Sequence, residues 1–173
     1  HNKILSVYQN RRWDGDFLTV KKIIESGVLG RLVEYRVCFG LFEESPDLNA
    51  WREVDDPGSG LLYDMGAHLI DQVLALFGLP KAIMADIRTQ LDRGEVDDDF
   101  EIYMHYKDFR VVIAANKLMK EKACPNFMLR GTKGHFIKYR SDPQRSMLEN
   151  GGTPENSLYG VDSKENWGIL DTE

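Results

Sequence analysis

Phe100-Glu101-Ile102-Tyr103-Met104-His105-Tyr106-Lys107-Asp108-Phe109-Arg110-Val111-Val112-Ile113-Ala114-Ala115-Asn116-Lys117-Leu118 is the stretch on which the fold turns. Phe100, Ile102, Met104 and Tyr106 fall on one side of an extended chain, with Glu101, Tyr103 and His105 on the other. Period-two alternation of this kind marks a half-buried strand. Lys107-Asp108 turns the chain, and Phe109 to Leu118 reads as the next strand. Ala82 to Gln90 alternates in the same way just upstream, and Asn126 to Arg130 and His135 to Tyr139 flank the hairpin signal Gly131-Thr132-Lys133-Gly134 downstream. Arg31 to Phe39 alternates too, with Val33, Tyr35, Val37 and Phe39 opposite Glu34, Arg36 and Cys38. Consecutive strands with short connections favour an open, mostly antiparallel or mixed sheet of about six or more strands with helices on one face, an α+β fold. The uncovered face is then free to bind a partner, a second copy included.

Two helices punctuate the strands. Asp14 or Asp16 can cap one running to Ser26, with Phe17, Val20, Ile23 and Ile24 as its apolar face and Gly27 as its stop. The other is expected over Leu61 to Phe77, ending at Gly78-Leu79-Pro80. Between them, residues 40–60 form a loop with Pro46, Pro57, Gly58 and Gly60, and loops of that length are often functional. Ile4 to Tyr8 is a short run of strand type, Asp142-Pro143 starts a short helix, and the tail from Gly151 is expected to be irregular.

Chemistry concentrates on the Leu61–Phe77 segment. At about 100° per residue, Asp64, His68 and Asp71 share one stripe of a helix that is otherwise apolar or small. Such a helix is buried, and charged groups on it must pair with each other, with another segment or with a ligand. An imidazole titrates near neutral pH and suits proton transfer, so His68 is the candidate acid/base. Asp64 can orient the ring or hold a substrate hydroxyl. The same spacing also fits a satisfied core network in which His68 only bridges carboxylates. A metal on Asp64, His68 and Asp71 would need a further ligand that the sequence does not offer. Arg11 and Arg12 follow a strand end, where ligands bind in α/β proteins, and a local salt bridge from Arg12 to Asp14 or Asp16 is an equal alternative. Asp97-Asp98-Asp99 reads as a solvated turn.

The 173 residues suit one domain, or one domain plus a fragment of another. With 22 Lys and Arg against 28 Asp and Glu, the net charge of −6 makes nucleic acid a poor partner. No apolar run approaches the roughly 20 residues of a membrane span. Cys38 and Cys124 lack any metal-binding spacing and read as free thiols, and no signal peptide is visible, so a cytoplasmic location is expected. G-x-G-x-x-G, P-loop and G-x-S-x-G motifs are absent.

Asn10-Arg11-Arg12-Trp13-Asp14-x-Asp16-Phe17, the strand from Gly30 to Phe39, Trp51-Arg52, and Gly58-x-Gly60-x-Leu62-x-Asp64-x-Gly66-x-His68-x-x-Asp71 occur in an order that resembles the Gfo/Idh/MocA oxidoreductases, through about Tyr139. The resemblance implies a two-domain NAD(P)-dependent enzyme acting on a sugar or polyol. Residues 1–8 correspond to the last strand of its Rossmann domain. Residues 9–173 correspond to its C-terminal substrate and dimerisation domain without the final helix. By the same resemblance, His68 and Asp64 are catalytic, and Arg11, Asp64 and His68 bind substrate. Asn10, Trp51 and Arg52 touch NAD or NADP, and Asp71 supports the site from behind. No metal is implied, and the open sheet face makes a homodimer or higher oligomer. The family's dinucleotide fingerprint and Glu-Lys-Pro lysine would precede His1, so this chain alone is expected to be inactive. A non-catalytic sugar-sensing or dimerisation module of the same fold is the alternative.

Overall fold

The computed structural model describes every residue except His1, Glu121, Arg140, Ser141 and Glu173. Its centre is a seven-stranded sheet in the order β2-β3-β4-β1-β5-β6-β7. The strands are β1 (Leu32–Gly40), β2 (Ala82–Arg88), β3 (Asp99–His105), β4 (Arg110–Asn116), β5 (Phe127–Gly131), β6 (Gly134–Lys138) and β7 (Ile169–Thr172). Only β1 and β4 run parallel; the other neighbours are antiparallel. The sheet is two meanders joined at β1, and the expected mixed open sheet is what forms.

Helices α1 (Gly15–Ser26) and α2 (Ala67–Phe77) cover one face. Phe17 and Val20 of α1 and Leu69 and Val73 of α2 pack with Tyr35, Val37, Phe39, Phe100, Ile102, Met104, Val111, Ile113, Leu129 and Phe136. These are the inward members of each alternating pair, so the period-two pattern chose the buried face. The opposite face carries Glu34, Arg36, Glu101, Tyr103, Arg110 and Arg130. Glu34 is buried there, bonded to Arg110 and, at 3.0 Å, to Arg130. Burial alone would raise its pKa, but the two guanidiniums hold it below the ordinary value.

Several elements differ from the sequence expectation. β1 is not half-buried: Glu34 and Cys38 on its outer face are covered as well, because the strand lies mid-sheet. Ile4 to Tyr8 forms no strand and is exposed, since no sheet edge lies beside it to supply a ladder. The tail is not wholly irregular: Ile169–Thr172 adds to β6 as an edge strand. The Asp97–Asp99 segment is no solvated turn. Asp98 is buried and accepts from the Gln90 and Leu91 amides, and Asp97 accepts from the Leu62 amide at 2.6 Å. Asp14 occupies the N-cap of α1 without a side-chain cap bond, while Gly27 closes the helix at φ +68° as expected.

The helix expected over Leu61–Phe77 is also not a single α-helix. Leu62–Gly66 is a π-helical turn, with the Ala67 amide donating to the Leu62 carbonyl, and the α-helical turns follow. Asp97 and Gly60 set this start. The Asp97 carboxylate accepts from the first free amide, and Gly60 at φ +95° lies so close that any Cβ would collide with that carboxylate. Nor is the helix buried all round, as Tyr63 and Ala67 are exposed. Among the described residues, no helix is long and apolar enough to cross a membrane.

Candidate active site

The π-turn and the start of α2 carry Asp64, His68 and Asp71 along the side of the sheet on which a 3-10 turn, Asn10–Trp13, is docked. Three hydrogen bonds hold that turn in place. Arg12 grips Asp71 in a fork, Nε to Oδ2 and Nη2 to Oδ1, both 2.7 Å. One residue on, the buried Gln72 donates from Nε2 to the Arg11 carbonyl at 2.8 Å. Arg12 therefore pairs across to α2 and not with Asp14 or Asp16, because the turn lays it along the helix. Asp71 faces an arginine, which fits a supporting role. Both its oxygens are engaged, so the three-residue metal site considered from spacing has lost a ligand.

The docked turn sets the surroundings of His68. Arg11 bonds Asp14 at 3.2 Å and sits over the Phe39 ring, 5.3 Å from its centroid, beside the Met65 sulfur. Gln9, at the head of the turn, places Oε1 3.0 Å from His68 Nδ1. A carboxamide oxygen only accepts, so Nδ1 carries the hydrogen and Nε2 keeps its lone pair. Burial of the ring lowers the His68 pKa below 6.5, Arg11 lowers it further, and Asp64 and Asp71 pull the other way without prevailing. At neutral pH the ring is an uncharged, half-buried base.

Asp64 lies on the other flank, 3.9 Å from Arg52 Nε and more than a third exposed. Arg52 and Trp51 belong to a short 3-10 turn, Trp51–Glu53, in the long loop. That turn is anchored from beneath: buried Lys117 bonds buried Glu53 and, at 3.0 Å, Glu43. Burial opposes charge on Lys117, and the two carboxylates raise its pKa regardless. The Ser59 hydroxyl and the Gly60 amide bond back to the carbonyls of Trp51 and Arg52. Trp51 keeps 64% of its surface exposed, and Asn10 is exposed on the opposite turn.

The fold thus brings Arg11 and Asp64 to His68 and Arg52 to Asp64, while Asn10 and Trp51 are their exposed neighbours in sequence. Asn10 and Arg11 also line a groove of about 820 Å³ with Tyr8, Leu41 and Asp142. A cavity of about 390 Å³ between α1 and the tail is separate and holds none of these residues. Sequence reasoning missed Gln9, Gln72 and the Lys117 clamp. Gln72 left one signal, a second polar residue beside Asp71 in an apolar helix.

An open mixed sheet with helices on one face is the architecture of the C-terminal domains of one class of oxidoreductases. The match of residues 17–137 to the GFO/IDH/MocA C-terminal domain bears this out, and the chain belongs to that family. An uncharacterised oxidoreductase of Schizosaccharomyces pombe is 40% identical over 96% of this chain and 47% of its own length. The scyllo-inositol 2-dehydrogenase (NADP(+)) IolW of Bacillus subtilis is 38% identical over 98% of this chain and 47% of its own. A solved oxidoreductase from Bacillus cereus superposes with a TM-score of 0.83 at 34% identity, covering 99% of this chain and 56% of that one. The chain spans about half the length of the curated relatives it matches.

Proposed function

We propose that this chain is the substrate domain of an NAD(P)-dependent dehydrogenase or reductase acting on a hydroxyl or carbonyl of a sugar or cyclic polyol. The observation that carries the reading is the uncharged His68 ring, held through Nδ1 by Gln9, with Asp64 and Arg11 beside it. The name of the similar IolW, a scyllo-inositol dehydrogenase, supports a polyol as the substrate class.

The nicotinamide supplies the hydride acceptor or donor when bound. The rim fits such a group: an exposed indole at Trp51 offers a stacking face, Arg52 a cation, and Asn10 an amide. In the oxidising direction His68 Nε2 takes the hydroxyl proton, and in the reducing direction the imidazolium returns it. Asp64 accepts a hydrogen bond from a neighbouring hydroxyl and stabilises the charge His68 gains. Arg11, fixed over Phe39, donates to a further substrate oxygen. Asp71, through Arg12, keeps the turn that carries Arg11 seated on α2.

In this reading residues 1–8 lead from a preceding dinucleotide-binding domain, and residues 9–173 form the substrate domain. The open sheet face, with its paired charges, docks a second copy, and the protein works in the cytoplasm. The test is nicotinamide absorbance with the complete protein over a panel of sugars and inositols. Turnover of at least one cyclic polyol is expected. Tight sugar binding with no cofactor turnover on any compound would contradict the enzyme reading and favour a sensing module.

A further inference from the structure

Three sulfur atoms meet on the sheet face away from the site. Cys38 lies on β1 and shares its outer face with Glu34 and Arg36. Cys124 and Met119 lie in the connection between β4 and β5. The Cys38 and Cys124 Sγ atoms are 2.6 Å apart although 86 residues separate them. Met119 Sδ is 3.3 Å from Cys124 and 3.7 Å from Cys38. Both cysteines are free thiols on the wall of a cleft of about 250 Å³, which also reaches Arg36, Glu101 and Met128.

We propose that Cys38 and Cys124 are a dithiol that low-molecular-weight disulfides oxidise to an intrachain bond, with Cys124 as the entering thiol. A disulfide sulfur–sulfur bond is about 2.05 Å long, so the remaining gap closes by side-chain movement, without the backbone shift that a distant pair would need. Accessibility sets the order. Cys38 is 6% exposed, whereas Cys124 is only half-buried. Burial also pushes the Cys38 thiol above its ordinary pKa, which disfavours it as the first attacker.

The chemistry balances with the oxidant named. The Cys124 sulfur attacks one sulfur of the external disulfide, breaks its bond, and releases one thiolate that takes up the Cys124 proton. Cys38 then attacks the Cys124 sulfur of the mixed disulfide and expels the second thiolate, which takes up the Cys38 proton. Two protein thiols are oxidised, and one external disulfide is reduced to two thiols. The new bond ties the β4–β5 connection to the middle strand of the sheet, at the border of the open face. This inference is independent of the dehydrogenase reading.

The test is intact mass of the folded chain after incubation with excess glutathione disulfide, followed by alkylation in denaturant. Wild type is expected to lose two hydrogens and to take no alkyl label. The variant C38S should accumulate one glutathione, and C124S should react far more slowly. Wild type alone decides whether the bond forms, so a variant that fails to fold does not remove the test. Two alkylatable thiols persisting in wild type, or a disulfide between chains, would overturn the proposal. Faster capture of glutathione by C124S than by C38S would overturn the assigned order.

Discussion

His68 acts through what its two nitrogens see. Gln9 faces Nδ1 and makes it the donor, so in the proposed function the lone pair that would take the proton is on Nε2. Replacing Gln9 by Ala releases that choice, and kcat is expected to fall several-fold with KM little changed. Gln9→Glu puts a carboxylate on Nδ1, which raises the His68 pKa and moves the acid limb of the kcat/KM profile to higher pH. An unmoved acid limb in Gln9→Glu would contradict the contact. The wild-type limb has a definite sign as well. Because burial and Arg11 lower the His68 pKa below 6.5, the acid limb of kcat/KM in the oxidising direction should be centred below pH 6.5. A limb centred above pH 7 would mean that the neighbouring carboxylates prevail over burial and Arg11. His68, Asp64 and Asp71 were legible because a helix repeats its faces and polar residues on an apolar rod stand out. Gln9 was not, because a glutamine in a loop carries no periodic mark.

The elements that carry the site depend on buried polar groups that no pattern of hydrophobicity reveals. Lys117 beneath the Trp51–Glu53 turn is one. Lys117→Met leaves Glu53 buried without its cation, and urea unfolding should show a loss of about 3 kcal/mol, the usual cost of breaking a buried pair from one side. Substituting Glu53→Leu in the same chain should recover much of it; no recovery would place the cost elsewhere. Asp16, at the start of α1, is another. Burial and the adjacent Asp14 push its pKa up to about 6 from 3.8. The folded chain therefore binds this proton more tightly, and the associated stability is full below pH 3.8 and lost as pH rises through about 6. The shift corresponds to about 3 kcal/mol at 1.36 kcal/mol per unit. Asp16→Asn should gain on wild type by roughly that amount between pH 4 and pH 7, and a pH-independent difference would refute it. The inner strands were readable from alternation, since one face of each is core, and β2 alternates although it is exposed throughout. The π-turn was not, because it is set by Asp97, a residue 35 positions away in sequence. β7 was missed because its four residues, Ile169–Thr172, are too few to show a period and do not alternate.

At the scale of the molecule, the five inner strands of a seven-stranded sheet are covered on one face by two helices, β2 and β7 stay exposed at the edges, and the other face presents charges paired among themselves. Light scattering of the chain is expected to give a dimer at micromolar concentration. A charge introduced at Met128, in the middle of that face, should return it to monomer without changing its circular dichroism. Monomer mass throughout for wild type would count against the docking role. The class of fold was visible because the order of strands and helices prunes the topologies. The surface proposed to meet a second copy was visible only as a face left over.

The central claim is that His68 moves the proton. In the complete protein with its best polyol, His68→Ala should lower kcat by about 10²-fold or more, while substrate Kd measured by calorimetry changes little. Unchanged kcat on a substrate the wild type turns over would contradict the account.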